Sequence, residues 1–145
     1  MSGRFDLTDR VVIITGAGQG IGREFAHAYA EAGAIPVIAE LNADRGEAVA
    51  ESIRETGAQA FAMATDIGDE ESTQALAAQV VDRYGRIDVL INNAGIFSTI
   101  TMRPFTEIPL EEWNQVMHVN VTGVFLMTRA VTPNMKRRGF GRILN

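Results

Sequence analysis

Cysteine is absent from the chain and lysine occurs once, at Lys136. Without thiols there are no disulfides and no thiolate metal sites, and that absence is neutral about compartment. Basic residues are in the minority, 13 Lys and Arg against 18 Asp and Glu for a net charge of −5, and Lys136-Arg137-Arg138 is their one cluster. Nothing in this balance suggests a nucleic-acid footprint. No stretch reaches the ~18 apolar residues of a membrane span, and Met1-Ser2-Gly3-Arg4-Phe5-Asp6 lacks the apolar segment of a signal peptide. The chain therefore reads as cytoplasmic, with neither nucleic acid nor membrane as a partner. His27, set between alanines, has no second ligand at helical spacing, so no metal site is expected. What is present is apolar mass: 46% hydrophobic residues over 145 positions, enough for one domain, 1–145, with a buried core.

The most informative stretch is Thr15-Gly16-Ala17-Gly18-Gln19-Gly20-Ile21-Gly22. It follows the apolar run Val11–Ile14 and opens a helix-like segment ending at Gly33. Glycines at such a strand-to-helix turn let the backbone reverse sharply and let a ligand approach, and the helix N-terminus beyond offers free N–H groups to a diphosphate. The spacing excludes a Walker loop, because Arg23 rather than Lys-Ser/Thr follows Gly22. Gly-x-Gly-x-x-Gly fits imperfectly, since its third glycine would fall on Ile21. A glycine-rich surface turn that binds nothing is the plain alternative.

Taken in order, the chain alternates strand and helix. After the helix Gly20–Ala32, a second strand covers Ile35–Ala39 and is expected to pair only from Val37, because Pro36 cannot donate to a ladder. Glu40 follows at its end, about 20 residues beyond the glycine turn, where an acid accepts hydrogen bonds from an adenosine ribose; alternatively it is a solvated strand end. A helix over Ala43–Thr56 and an alternating strand over Ala58–Ala64 lead to Thr65-Asp66-Ile67, and Asp66 could cap the helix that starts at Asp69 or Glu70 and runs to Tyr84. A fourth strand, Ile87–Ile91, runs into Asn92-Asn93-Ala94-Gly95, amides that can tie neighbouring strands and small residues that admit a ligand. The irregular apolar segment Ile96–Phe105 belongs to a substrate pocket or packs on the core. The longest helix spans Leu110 to about Lys136, with Trp113, Val116, Met117, Val121, Val124 and Phe125 as its inward stripe, His118 on the opposite, solvent-facing side and Pro133 as a kink or early end. Asn120 falls in the apolar stripe, where an unpaired amide costs about 1–3 kcal/mol, and so it needs a polar partner.

Thr-Gly-x-x-x-Gly-x-Gly after the first strand, in step with Asn-Asn-Ala-Gly after the fourth, closely resembles the classical short-chain dehydrogenases/reductases. The resemblance implies an α/β fold, a Rossmann-like doubly wound parallel sheet in three α/β/α layers. It implies a diphosphate loop at Gly16, Gly18, Gln19, Gly20, Ile21 and Gly22. Glu40 and Leu41 would lie at the ribose, favouring NAD over NADP because a 2′-phosphate meets an acid and Gln19 and Leu41 stand where NADP-preferring relatives often carry a base. Asp66 and Ile67 would meet the adenine, and Asn92, Ala94 and Gly95 would line the crevice. Asn120, in Asn-Val-x-Gly, would hold a water of the proton relay as the one catalytic residue present; a structural polar tie is the other reading.

The implied activity is hydride transfer between nicotinamide and an alcohol or carbonyl substrate by a homodimer or homotetramer. The resemblance also implies more chain beyond Gly141–Asn145, the entry to a fifth strand: a serine and then Tyr-x-x-x-Lys, which neither Tyr29 nor Tyr84 supplies, each having Gly33 or Asp88 four residues on. The expectation is an amino-terminal portion, truncated at the fifth strand and inactive alone. The alternative is a noncatalytic dinucleotide-binding or interaction module.

Overall fold

The computed structural model describes residues 6–145; the reading of Met1–Phe5 lies outside them. The core strand β1 (Val11–Thr15) is buried along its whole length. Its branched side chains alternate between two apolar layers, Val11 and Ile13 on one side of the sheet and Val12 and Ile14 on the other. Helices α1 (Gly20–Glu31) and α2 (Ala43–Arg54) cover the second face through Ala26, Val49, Ala50 and Ile53. Helices α3 (Glu70–Tyr84) and α5 (Gly123–Arg138) cover the first through Leu76, Val80, Met127, Val131 and Met135. Each fully buried Ile or Leu contributes about 1.5–3 kcal/mol, which is why an apolar-throughout strand settles between two helical layers.

Strands β2 (Ile35–Glu40), β3 (Phe61–Ala64), β4 (Val89–Ile91) and β5 (Arg142–Leu144) complete a parallel sheet in the order β3-β2-β1-β4-β5. The order reverses between β1 and β4, which makes a doubly wound, Rossmann-like α/β fold. Its ligand crevice belongs at the carboxyl ends of these two strands.

Pro36 behaves differently toward its two neighbours. Against β1 it pairs in register with Val12, and the strand begins at Ile35, not Val37. Ile35 N–H bonds Arg10 O on the β1 side, whereas Glu40 O accepts from Thr65 N–H on the β3 side. Residue 36 shares the parity of Glu40, so the missing donor faces β3. There pairing starts two residues later than against β1, at Val37 with Phe61, and β3 (Phe61–Ala64) is shorter than the expected Ala58–Ala64.

The expected long helix differs more. It divides into α4 (Leu110–Met117) and α5, joined by a π-helical turn, His118–Thr122, in which Gly123 N–H bonds His118 O. The stripe expected inside is largely outside: Trp113, Met117, Val121 and Phe125 are exposed at 54, 39, 53 and 56%. The buried face of α5 is instead Gly123, Leu126, Met127, Val131, Asn134 and Met135, because Leu126, Met127 and Val131 form a second apolar row beside the one expected inside. Pro133 neither ends nor breaks α5, because Val131, Asn134 and Met135 on either side are packed against the sheet layer. No helix among the described residues is long and apolar enough to cross a membrane.

Candidate functional site

The two glycine-bearing signatures meet at the sheet's reversal point. Gly16 takes φ +65°, a left-handed conformation that favours glycine, and a methyl group there would stand 2.8 Å from Ala94 Cα. A methyl group on Gly22 would stand 2.5 Å from Gly16 O. Backbone therefore packs directly on backbone. Thr15 Oγ1 accepts from Asn93 N–H at 3.1 Å and Ala94 N–H at 3.0 Å, while Asn93 Nδ2 donates to Thr15 O at 3.0 Å and Gly16 O at 3.3 Å. These bonds fix the glycine turn to the end of β4.

Helix α1 leaves its amino end open. Gln19, its N-cap, makes no side-chain capping bond and the first turn carries no acid. By contrast, Asn42 caps α2 through Arg45 N–H, and Asp69 caps α3 through Glu71 N–H and Ser72 N–H, with Glu70 and Glu71 beside it. The unmet N–H groups and positive dipole end of α1 thus remain for an anion. Gly20 and Ile21 of that turn line a cleft of about 670 Å³, and a methyl group on Gly20 would meet no atom within 4 Å.

Two carboxylates stand along the same cleft. Glu40 is not a solvated strand end: it is 7% exposed, with Oε2 accepting from Gly18 N–H at 2.9 Å and Oε1 from Asn42 N–H at 3.2 Å. Asp66 is exposed and accepts from Gly68 N–H at 2.8 Å; it does not cap α3, a role taken by Asp69. An uncapped helix end flanked by two acceptors and backed by glycines suits a diphosphate carrying a ribose and a base with an exocyclic amino group.

A family model described as short chain dehydrogenase matches residues 10–145. The chain belongs to the short-chain dehydrogenases. It is 38% identical over 145 residues to 5-keto-D-gluconate 5-reductase of Escherichia coli (strain K12), covering all of this chain and 56% of that protein. Among solved structures, 7α-hydroxysteroid dehydrogenase complexed with NADH and 7-oxo glycochenodeoxycholic acid is similar with a TM-score of 0.87 at 38% identity, covering 95% of this chain and 52% of that one. An NAD+-bound xylitol dehydrogenase matches with a TM-score of 0.89 at 33% identity, covering 97% and 52%. The chain thus spans about half the length of the relatives it matches.

Within this short-chain dehydrogenase cleft lie Gly16, Gln19, Gly20, Ile21, Glu40, Leu41, Asp66, Ile67, Ala94 and Gly95. Gly18 and Gly22 stand behind its wall, Gly18 against Glu40 and Gly22 beneath Asn93. Asn92 points away: its Nδ2 donates to Asn145 Oδ1 at 2.8 Å and to Thr128 Oγ1 at 3.4 Å, tying β4 to the β5 side. Its neighbour Asn93, which carries the bonds to the glycine turn, lines the cleft instead. The period-two alternation of an extended segment implies that the two point opposite ways, but not which of them faces the cleft.

Asn120 sits in the π-helical turn and engages one residue at both ends of its amide. Oδ1 accepts from Ile96 N–H at 2.7 Å and Nδ2 donates to Ile96 O at 3.0 Å. The partner that a polar residue in the stripe requires is therefore the backbone just after Gly95. His118 is exposed, yet its ring packs on Gly68 and lines the cleft beside Asp66, a placement that the helical wheel put on the far side. Arg45 is also unanticipated, bonding Gln19 Oε1 at 2.6 Å above Glu40. Ile96, Phe97 and Ser98 line the cleft, while Phe97, Met102 and Phe105 are strongly exposed, so this segment borders the cleft and is not packed on the core. Among the described residues no group of three His, Asp or Glu could hold a metal ion.

Proposed function

We propose that residues 1–145 form the dinucleotide-binding unit of an NAD-dependent oxidoreductase acting on an alcohol or ketone. The observation that carries this reading is the uncapped amino end of α1, opening with Gly20 and Ile21 into a cleft that also holds Glu40 and Asp66. In it the diphosphate lies on the N–H groups of the first turn of α1. Glu40 accepts from the adenosine ribose hydroxyls, Asp66 accepts from the adenine amino group, and Ala94 and Gly95 let the nicotinamide half pass close to backbone. Bound NAD supplies the hydride acceptor; the chain's own residues orient it. Asn120 holds the segment after Gly95 through Ile96 and sits at the turn where the family resemblance expects a relay water.

The NADH- and NAD+-bound relatives support this cofactor, and the reductase and dehydrogenase names of the relatives support the reaction class. These 145 residues carry no Tyr-x-x-x-Lys, so the isolated polypeptide is proposed to bind NAD without turnover. Isothermal titration of NAD into the purified chain tests the binding, with Glu40→Ala alongside. Saturable binding weakened about tenfold by the substitution supports the reading, a charged acceptor being worth about 1.5–3 kcal/mol. Absence of binding to the folded chain sinks it, and steady alcohol oxidation by the isolated chain sinks the claim of inactivity.

A further inference from the structure

The side of α4 and its following turn that a helical wheel leaves to solvent faces the cleft. Gln115 and His118, three residues apart and so neighbours on one face, both line it together with Asp66 and Ile67. A methyl group on Gly68 would stand 2.6 Å from His118 Nε2, 2.9 Å from His118 Cδ2 and 3.2 Å from Asp66 Oδ1. The edge of the imidazole and the carboxylate thus converge on one point, and the missing side chain at residue 68 leaves that point open. Asp66 Oδ1 is spent on Gly68 N–H at 2.8 Å, so Oδ2 is the acceptor left for a ligand. The other acids around His118 have their own places. Asp69 caps α3, Glu70 pairs with Arg129 at 2.6 Å, Glu112 pairs with Arg103 at 3.3 Å, and Glu71 and Glu111 lie in the first turns of α3 and α4, where the helix dipole favours them. Glu40 is held by Gly18 N–H and Asn42 N–H. Asp66 is therefore the carboxylate that meets the imidazole.

We propose that His118 is a positioning residue for Asp66: the neutral imidazole leaves Oδ2 to the base of the dinucleotide, and the protonated imidazole draws the carboxylate into an ion pair beside Gly68 and withdraws that acceptor. The inference rests on Asp66 accepting from the adenine amino group as proposed above. Histidine is the side chain that changes charge between about pH 5 and 8, a window in which exposed carboxylates stay ionised. The affinity for NAD consequently falls as pH is lowered through that window. The loss belongs to ligands with an exocyclic amino group on the base. Nicotinamide hypoxanthine dinucleotide carries an oxygen there, has nothing to donate to Oδ2 from that position, and does not lose affinity with it.

The test is calorimetric titration of NAD and of nicotinamide hypoxanthine dinucleotide into the full chain at about pH 8 and about pH 5.5, with His118→Gln, which cannot take up a proton, and His118→Lys, which keeps the charge at both values. Expected is a fall in wild-type NAD affinity of about threefold to fivefold between the two, the range for an exposed charged pair, with no fall for the hypoxanthine analogue. His118→Gln is expected to flatten the NAD profile, and His118→Lys to hold NAD at the weaker level throughout. A pH dependence that survives in His118→Gln overturns the proposal; its source would then lie elsewhere, as at His27, the other histidine, which contacts Ser52 Oγ at 3.3 Å between α1 and α2. Equal losses for the two dinucleotides overturn it too, as does a flat wild-type profile, which leaves His118 as a packing residue against Gly68. Failure of the wild type to bind NAD at either pH is a different result: it overturns the assignment of the cleft itself.

Discussion

At Gly18 a single hydrogen atom keeps the acidic end of the cleft in place. A methyl group there would stand 2.6 Å from Glu40 Cγ and 2.7 Å from Oε2, the oxygen that bonds Gly18 N–H. The carboxylate cannot stay where it is if residue 18 gains a Cβ. Gly18→Ala is therefore expected to weaken NAD binding about tenfold or more, since displacing a charge-assisted bond costs about 1.5–3 kcal/mol. Calorimetry reads the affinity and circular dichroism checks that the fold survives; a variant with wild-type affinity shows that Glu40 takes no part in binding. The left-handed Gly16, by comparison, was legible from the motif alone, because a sharp strand-to-helix turn demands such a residue. Which glycine supports the acid was not legible: Gly18 lies 22 positions from Glu40 and only the parallel pairing of β1 with β2 brings them together.

Between α4 and α5 the wide turn His118–Thr122 makes Asn120 a clamp on another element. The amide meets both backbone groups of Ile96, so truncation leaves an N–H and a C=O of a partly buried segment without partners. Asn120→Ala is expected to cost about 1–3 kcal/mol, visible as a lower melting temperature, and to speed hydrogen exchange at Ile96 more than at β1. Unchanged exchange at Ile96 would mean the segment after Gly95 is held elsewhere. Sequence periodicity found Asn120 and its need for a partner, but it assigned the wrong face of the helix to the core. The rows at Val121 and Phe125 and at Leu126, Met127 and Val131 are both apolar, and a helical period alone does not say which one meets the sheet. The five-residue turn then rotates α5 relative to α4, which a wheel drawn for one continuous α-helix misses.

Across the whole molecule, the end of the sheet opposite the cleft is pinned by one carboxylate. Asp88 has no side-chain exposure; its oxygens accept from Arg86 Nε and Nη2 at 2.6 Å, Val11 N–H at 2.9 Å and Arg10 Nη1 at 3.2 Å. Its backbone pairs with Val11 and Arg142, so β1, β4 and β5 all touch it. Burial alone raises the pKa of such a carboxyl, but the bonds from Arg86, Val11 and Arg10 outweigh it and the net shift is downward from 3.8. A depressed folded-state pKa adds stability above the ordinary carboxylate value, lost as pH falls below it through the folded pKa. Asp88→Asn is expected to destabilise by about 2–3 kcal/mol at pH 7, less than a fully enclosed ion pair because both arginines are partly exposed. Urea melts should show the gap between wild type and variant narrowing from pH 7 toward pH 3; a gap that stays constant removes the charge from the account. NAD affinity should be retained, since Asp88 lies at the amino ends of the strands.

The sequence by itself determined the layered α/β fold, the strand-one glycine turn, the paired amides after strand four, and Glu40 and Asp66 as acids at strand ends. All of these are local patterns: apolar alternation, glycine where the backbone must reverse, polarity where a strand stops. Only the tertiary structure decided that Asn93 rather than Asn92 faces the cleft, that Asn120 binds Ile96, that His118 packs on Gly68, and that Arg45 stands over Glu40. Each of those depends on which way a side chain leaves an element whose rotation is set by packing against another. No spacing along one chain segment encodes that rotation.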